Sequence, residues 1–499
     1  MAEKAASRSA RSDNGSDMSD QIFQTPVKYD NRPLWLIILD RTARYQVMAA
    51  LAVVVAVLLH VSPPDGLSVE GYRSLVLFGA TVFLWVSGLL PIAVTALLSM
   101  VMLPLLGIME AKKTYALFGN ESVFFILGAF ILSAAMTGTG ISARLARAML
   151  ARFGKTPTRL AATVFLLSAL LSFIMSEHAV AAMMFPVVAE IATALKLEKG
   201  TSSFGRLIFM AIAWGCIIGG IATFLGGARA PLAAGMLRES TGLHFTFLEW
   251  TFASCMIVLP LLGIGFFLLV RFFPPDLEDV AEGRRFLNRK RLESGKMGYD
   301  EKITAVVMAA TVAGWIILGE KTGLAAIAIL GAATLFAFRV VSWQTIEEYV
   351  NWGIVLMYGG SIALANALEK SGAAIWLVRK GMGMFSHSPL AVIAVISLVA
   401  IILTECISHA AVVAILMPIG MGLCTSTGMD PKVMTLAIAL PAGLAYCLPM
   451  GTPATAISYA SGFLRSRDII VSGAIIMAIS WLLFLASVMF VWPLLGLKI

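Results

Sequence analysis

The chain is written twice. Gly128 and Gly140 recur as Gly360 and Gly372, 232 residues later; at the same offset Ser176 and Pro186 recur as Ser408 and Pro418, and Ser172 is matched by Thr404. Each serine opens a short polar break in an apolar stretch: Ser176-Glu177-His178 in the first half, Ser408-His409-Ala410 in the second. The 499 residues are 59% hydrophobic and only 13% charged. A soluble fold this apolar would expose large adhesive patches. The composition therefore implies an all-α polytopic membrane protein, with one membrane domain taking up nearly all of the length.

Charge sits in few places. Residues 1–34 are rich in Ser, Asp, Lys and Arg and lack an apolar core, so they read as a disordered cytoplasmic tail rather than a cleavable signal. Arg144, Arg147, Arg152, Lys155 and Arg159 fall in one short connection, and Arg284, Arg285, Arg289, Lys290 and Arg291 in the longest polar one, 272–300. Such clusters mark loops kept on the cytoplasmic side of the inner (plasma) membrane. They account for the net charge of +8 without a nucleic-acid partner. Cys216, Cys255, Cys406, Cys424 and Cys447 lie in apolar segments without metal spacing and read as small buried hydrophobes.

Hydropathy places spans near 45–62, 72–89, 91–109, 120–150, 206–236 and 247–271, then 302–319, 322–340, 350–380, 431–462 and 469–495. Two interrupted segments, 157–195 and 388–426, lie between them. If both are re-entrant hairpins, about eleven helices cross the bilayer and, with the N-terminus inside, both basic loops stay cytoplasmic. Full crossings would put 272–300 outside, against the charge rule. An odd number of elements separates the copies, so the halves (35–271 and 301–499) are expected to be inverted, with the hairpin tips meeting near the midplane.

Two further breaks accompany the tips. Gly219 to Arg229 interrupts the span 206–236, and Pro449-Met450-Gly451-Thr452-Pro453 interrupts 431–462. Gly and Pro commonly kink transmembrane helices. Here, however, two such clusters stand at matching places, each after a hairpin with a polar tip. Freed N–H groups can face an anion and freed carbonyls a cation. The pattern is that of a secondary transporter with a substrate site built from Ser176, Glu177, His178, Arg229, Ser408, His409, Gly451, Thr452 and Pro453.

From residue 45 onward the chain resembles the divalent anion:sodium symporters, which carry dicarboxylates, citrate or sulfate. Ser176-Glu177-His178, followed by an Ala-rich run and Pro186, stands where that family has Ser-Asn-Thr. Thr404-Glu405-Cys406-Ile407-Ser408-His409-Ala410 is similar to its Thr-Glu-x-x-Ser-Asn-Thr, and Gly451-Thr452-Pro453 to part of its Gly-Thr-Pro-Pro-Asn. The resemblance implies a homodimer, a fixed scaffold and an elevator-type mobile domain. It also implies cation or coupling ligands: Ser172, Ser176, Glu177 and Gly226 at the first site, and Thr404, Ser408 and His409 at the second. Both family asparagines are replaced, by Glu177 and His409, and the first Gly-Thr-Pro-Pro-Asn is reduced to Gly226-Gly227-Ala228-Arg229-Ala230.

Two outcomes follow from these replacements. Glu177 strengthens an oxygen-rich sodium site, or it pairs with Arg229, which then puts a fixed positive group where sodium would bind. His409 is a poor sodium ligand. Only five histidines occur, and two, His178 and His409, sit at the tips, which opens proton coupling as an alternative. His60, His244 and His387 lie near span ends and carry no expected role. The expected cargo is a small anion, moved with Na+, with H+ or by exchange. The alternatives are a proton-coupled carrier or exporter of another cargo and, remotely, an intramembrane metalloenzyme, which the absence of His-Glu-x-x-His disfavours.

Overall fold

The computed structural model describes residues 34–381, 388–449 and 451–497. The expected tail (all but Leu34), His387 and Met450 lie outside the described residues. In chain order the helices are α1 (Leu34–His60), α2 (Val69–Ser87), α3 (Ile92–Leu105), α4 (Ala111–Ala116), α5 (Glu121–Gly138) and α6 (Ile141–Phe153). Next come α7 (Pro157–Ser172), α8 (Glu177–Ala194), α9 (Ser203–Gly220), α10 (Arg229–Thr241), α11 (Phe247–Phe272) and α12 (Ala281–Glu293). The second half contains α13 (Tyr299–Ile317), α14 (Gly319–Thr322), α15 (Leu324–Ala337), α16 (Trp343–Tyr349), α17 (Trp352–Lys370) and α18 (Ala373–Gly381). It ends with α19 (Pro389–Cys406), α20 (His409–Thr427), α21 (Pro431–Ala439), α22 (Pro453–Tyr459) and α23 (Ser466–Ala486). Among the described residues no strand occurs, and eight helices are long and apolar enough to cross a membrane.

The interrupted segments are helix–break–helix units, for local reasons. Each begins with a proline at the first helical turn, Pro157 after the cap Thr156 and Pro389 after Ser388. There the missing N–H costs nothing and the fixed φ suits the helix. Each second arm begins at a serine cap: the Ser176 hydroxyl accepts the Ala179 N–H at 3.4 Å, and the Ser408 hydroxyl that of Ala411 at 3.3 Å. The arms are therefore α7–α8 and α19–α20.

Two spans expected to be continuous are broken. The stretch 120–150 divides into α5 and α6 at Gly140, with φ +77°, and 350–380 divides into α17 and α18 at Gly372, with φ +73°. Left-handed backbone of this kind is cheap only for glycine, and it ends a helix. The stretch 206–236 divides into α9 and α10 around an unwound loop, 221–228. The polar connection 272–300 contains a helix, α12. In the same connection Asp276 caps α9 from outside the spans, its carboxylate accepting the N–H groups of Ser203 at 2.7 Å and Phe204 at 2.8 Å. Burial alone would raise the pKa of Asp276; the bonds from Phe204 and Ser203 hold it below the usual carboxylate range.

Packing exchanges equivalent helices between the halves. Helix α3 packs on α17 and its counterpart α15 on α5; α10 packs on α20 and its counterpart α22 on α8. Close approach depends on small residues, as in membrane bundles generally. A Cβ at Gly128 would lie 2.7 Å from the Ala328 side chain, and one at Gly360 2.3 Å from the Ala96 carbonyl. An aromatic group, Phe125, Phe224, Phe247, Trp250 and Trp315, joins α5, the 221–228 loop, α11 and α13. These contacts bring both hairpin tips and both unwound loops into one interior region.

Candidate functional site

The two tips touch through charged and polar side chains. Glu177, the first residue of α8, is fully buried, and Arg229, the first residue of α10, is 2% exposed. Arg229 Nη1 donates to Glu177 Oε1 at 3.2 Å and to Oε2 at 3.4 Å, and Nη2 donates to Oε2 at 3.5 Å. The Glu177 N–H donates to the Gly226 carbonyl at 2.9 Å, which ties the tip to the unwound loop. That loop is held in turn by the Thr223 hydroxyl, which donates to the Phe173 carbonyl at 2.6 Å.

From the second tip, His409 Nε2 lies 3.6 Å from Glu177 Oε1. The other ring nitrogen, Nδ1, bonds the Ala442 carbonyl and lies 2.8 Å from the Thr404 hydroxyl, which itself donates to Ala442 at 2.8 Å. His178 is oriented differently. Its side chain is 41% exposed, with Nδ1 3.9 Å from Glu177 Oε1. The pair Glu177–Arg229 is thus sealed inside, while His178 faces a cavity.

Two glycines make room for the ion pair. A Cβ at Gly220 would lie 2.3 Å from Glu177 Oε2, and one at Gly443 2.3 Å from Arg229 Nε. The guanidinium therefore fills a slot that reaches the unwound backbone of the second half. Tyr358 on α17 adds a contact by donating its hydroxyl to the Ala228 carbonyl.

The unwound backbone that leads to Gly451 is organised around another acid. The Glu405 carboxylate accepts the N–H groups of Tyr446 at 2.7 Å, Cys447 at 2.8 Å and Leu448 at 2.8 Å, and a Cβ at Gly451 would lie 2.8 Å from its Oε2. Thr452 caps α22 by accepting the Thr455 N–H at 3.0 Å, and Pro453 is its first residue. Sequence reasoning had not placed Glu405, Tyr358, Gly220 or Gly443 at the site.

The oxygens that the resemblance assigns to a first cation are mostly engaged. Glu177 holds the guanidinium, the Gly226 carbonyl accepts an N–H, and the Ser176 hydroxyl caps α8. The buried Ser172 hydroxyl is left without a hydrogen-bond partner. A hard cation takes about six oxygen ligands, so this set does not fit sodium while Arg229 is in place. At the second place the His409 ring stands among the Thr404 hydroxyl and the Ala442 carbonyl, while the Ser408 hydroxyl caps α20. Among the described residues no three His, Cys, Asp or Glu side chains converge as a metal site.

Beside the first tip lies a cavity of about 380 Å³, lined by Ser176, His178 and Gly227 together with Ser133, Thr137 and Asn351. Glu348 also borders it, and among its lining residues there is no Lys or Arg. The N-terminus of α8 is at this wall, so the positive end of a helix dipole is available to a negative group, although the Glu177 and Ala179 N–H groups are already engaged by Gly226 and Ser176.

A family model described as the sodium:sulfate symporter transmembrane region matches residues 42–498. The chain is 27% identical over 464 residues to the sodium-dependent dicarboxylate transporter SdcS of Staphylococcus saprophyticus, covering 87% of this chain and 89% of that relative. It is 29% identical over 443 residues to SdcS of Staphylococcus aureus, covering 83% and 85%. Among solved structures, MtrF of Neisseria gonorrhoeae, described as one of a class of antimetabolite efflux pumps, is similar with a TM-score of 0.50 at 14% identity, covering 89% of this chain and 94% of that one. That likeness concerns the fold alone.

Proposed function

The chain belongs to the sodium:sulfate symporter family, and on that premise we propose that it moves a small organic anion, of the dicarboxylate class, across the inner membrane without a sodium ion at the first cation site. The observation that carries this reading is the sealed Glu177–Arg229 pair at 3.2 Å. Intramembrane charges are costly unless paired, and a guanidinium cannot lose its proton. Arg229 is thus a cation supplied by the chain itself, at the place where the resemblance puts a mobile one.

Because Glu177 offsets that charge, the anion is held by the α8 N-terminus, the Ser176 and Thr137 hydroxyls and His178. A wall without Lys or Arg suits a cargo small enough for 380 Å³ and bound weakly enough to leave. The relatives named sodium-dependent dicarboxylate transporters support the dicarboxylate class. Proton coupling is a second reading, favoured by His178, the one histidine that both lines the cavity and approaches Glu177.

In this reading the halves are inverted. The hairpins α7–α8 and α19–α20, with the broken helices α9–α10 and α21–α22, move like an elevator against α3, α5, α15 and α17 in a homodimer. The cross-packing of equivalent helices supports the inversion. The contacts Tyr358–Ala228 and Asn366–Glu239, the latter at 3.0 Å, join the two sets of helices and would have to break during that movement. Uptake into proteoliposomes tests the function with a panel of mono-, di- and tricarboxylates and sulfate, under sodium and pH gradients imposed separately. Dicarboxylate uptake that persists without sodium is expected. Uptake of sulfate alone, or of none of the anions, would refute the substrate assignment.

A further inference from the structure

A larger cavity, of about 770 Å³, lies away from the tips, between α6 and the outer face of α7. Its rim carries Arg152, Lys155 and Arg159, and its floor is made of Leu166, Leu167 and Leu170. On α7 the positions 159, 163, 166 and 170 share one helical face. From Arg159 to Leu170 that face runs about 16 Å at 1.5 Å per residue, close to the ~15 Å depth of one leaflet's hydrocarbon. Leu166 and Leu170 are 46% and 52% exposed on it.

The rim cations lack the partners that several neighbouring basic residues have. Arg144 is held by Glu301 at 2.6 Å and by the carbonyls of Ser294 and Gly295. On α12, Arg285, Arg289 and Lys290 each lie within 4 Å of Glu282 or Glu293. Among the described residues, Arg152, Lys155 and Arg159 form no ion pair, and all three are exposed. Among the described residues, Arg152 has one ring contact, with its own neighbour Phe153 at 5.8 Å.

We propose that this groove is a binding site for one anionic phospholipid of the cytoplasmic leaflet, with its phosphate at Arg152, Lys155 and Arg159 and an acyl chain along Leu166 and Leu170. Basic pockets at the cytoplasmic ends of membrane helices recognise such head groups. Charge complementarity selects the head group, and the leaflet-deep apolar floor selects a lipid over a free anion. The lipid would bridge the amphipathic helix α6 and the first hairpin arm across the short connector between them.

The test uses the full chain in phosphatidylcholine nanodiscs with and without phosphatidylglycerol, and native mass spectrometry of the lipid that stays bound. The wild type should retain phosphatidylglycerol in preference to phosphatidylcholine. Each basic residue contributes about fivefold near an anionic surface, so R152Q/K155Q/R159Q should lower the preference roughly a hundredfold. Leu166→Trp, which leaves every charge in place but fills the groove, should also release the lipid. Arg285→Gln with Arg289→Gln and Lys290→Gln should leave retention unchanged.

Equal retention in the rim triple variant overturns the proposal. So does an equal loss in the α12 variant, which would mean diffuse surface charge. Displacement of the lipid by inorganic phosphate alone would reduce the groove to an anion site. Loss of dimer mass in Leu166→Trp without a change in lipid would assign it to a second copy of the chain.

Discussion

Replacing Arg229 with alanine strands a carboxylate that has no exposed surface. Glu177 would lose three contacts between 3.2 and 3.5 Å and keep only His409 Nε2 at 3.6 Å and His178 Nδ1 at 3.9 Å. Breaking a buried pair costs about 3–5 kcal/mol, because one charge is left uncompensated. The two histidines soften that cost, so a loss of about 3 kcal/mol is expected for Arg229→Ala. Glu177→Gln should cost a similar amount by isolating the guanidinium. The double variant removes both charges and leaves a neutral amide beside the void left by the buried arginine. It should be more stable than Arg229→Ala by about 2 kcal/mol, because no uncompensated charge remains buried. The assay is denaturant or thermal unfolding in detergent for all four members of the cycle, with anion uptake measured in parallel. A double variant no more stable than Arg229→Ala, or an Arg229→Ala protein as stable as the wild type, would refute the pairing.

Gly443→Ala should act at the same pair from a distance, because its Cβ would stand 2.3 Å from Arg229 Nε; it should abolish uptake, and wild-type uptake would show that the guanidinium is free to move aside. Glu405→Gln should destabilise the second unwound loop by about 1.5–3 kcal/mol, the range for hydrogen bonds to a charged group, read as faster proteolysis near Tyr446 to Leu448. Single cysteines in place of His178 and Ala410 should differ in reactivity, since His178 faces the cavity and Ala410 is 5% exposed. An impermeant thiol reagent that reaches both positions from the same side in every transport state would contradict inverted hairpins.

The hairpins could be read from residues because their signals are local: a proline opens each first arm, a serine caps each second, and both recur at one offset. The Glu177–Arg229 contact spans 52 positions, and the sequence offered it as one of two outcomes, because intramembrane charges normally pair. The breaks at Gly140 and Gly372 were missed because helical character continues on both sides, and a positive φ leaves no mark on hydropathy. Helix α12 was hidden by charge all around it; only Gly283 and Leu287 are buried there. Glu405 stood in a motif, but its three N–H partners lie 41 to 43 residues onward, and no local pattern announces a carboxylate that will cap a distant loop. Tyr358 in an apolar helix reads as packing until its hydroxyl is seen against Ala228.

The central claim is that the chain supplies, in Arg229, a cation that the resemblance assigns to sodium. The most direct test is anion flux into proteoliposomes together with radiosodium flux, with choline replacing sodium on both sides in a parallel series. The account predicts anion flux that is unchanged in choline and carries no stoichiometric sodium through the first site. It also predicts that Glu177→Asn with His409→Asn raises sodium dependence only when Arg229 is replaced as well. Wild-type flux that rises steeply with sodium, with more than one ion entering per anion, would contradict it.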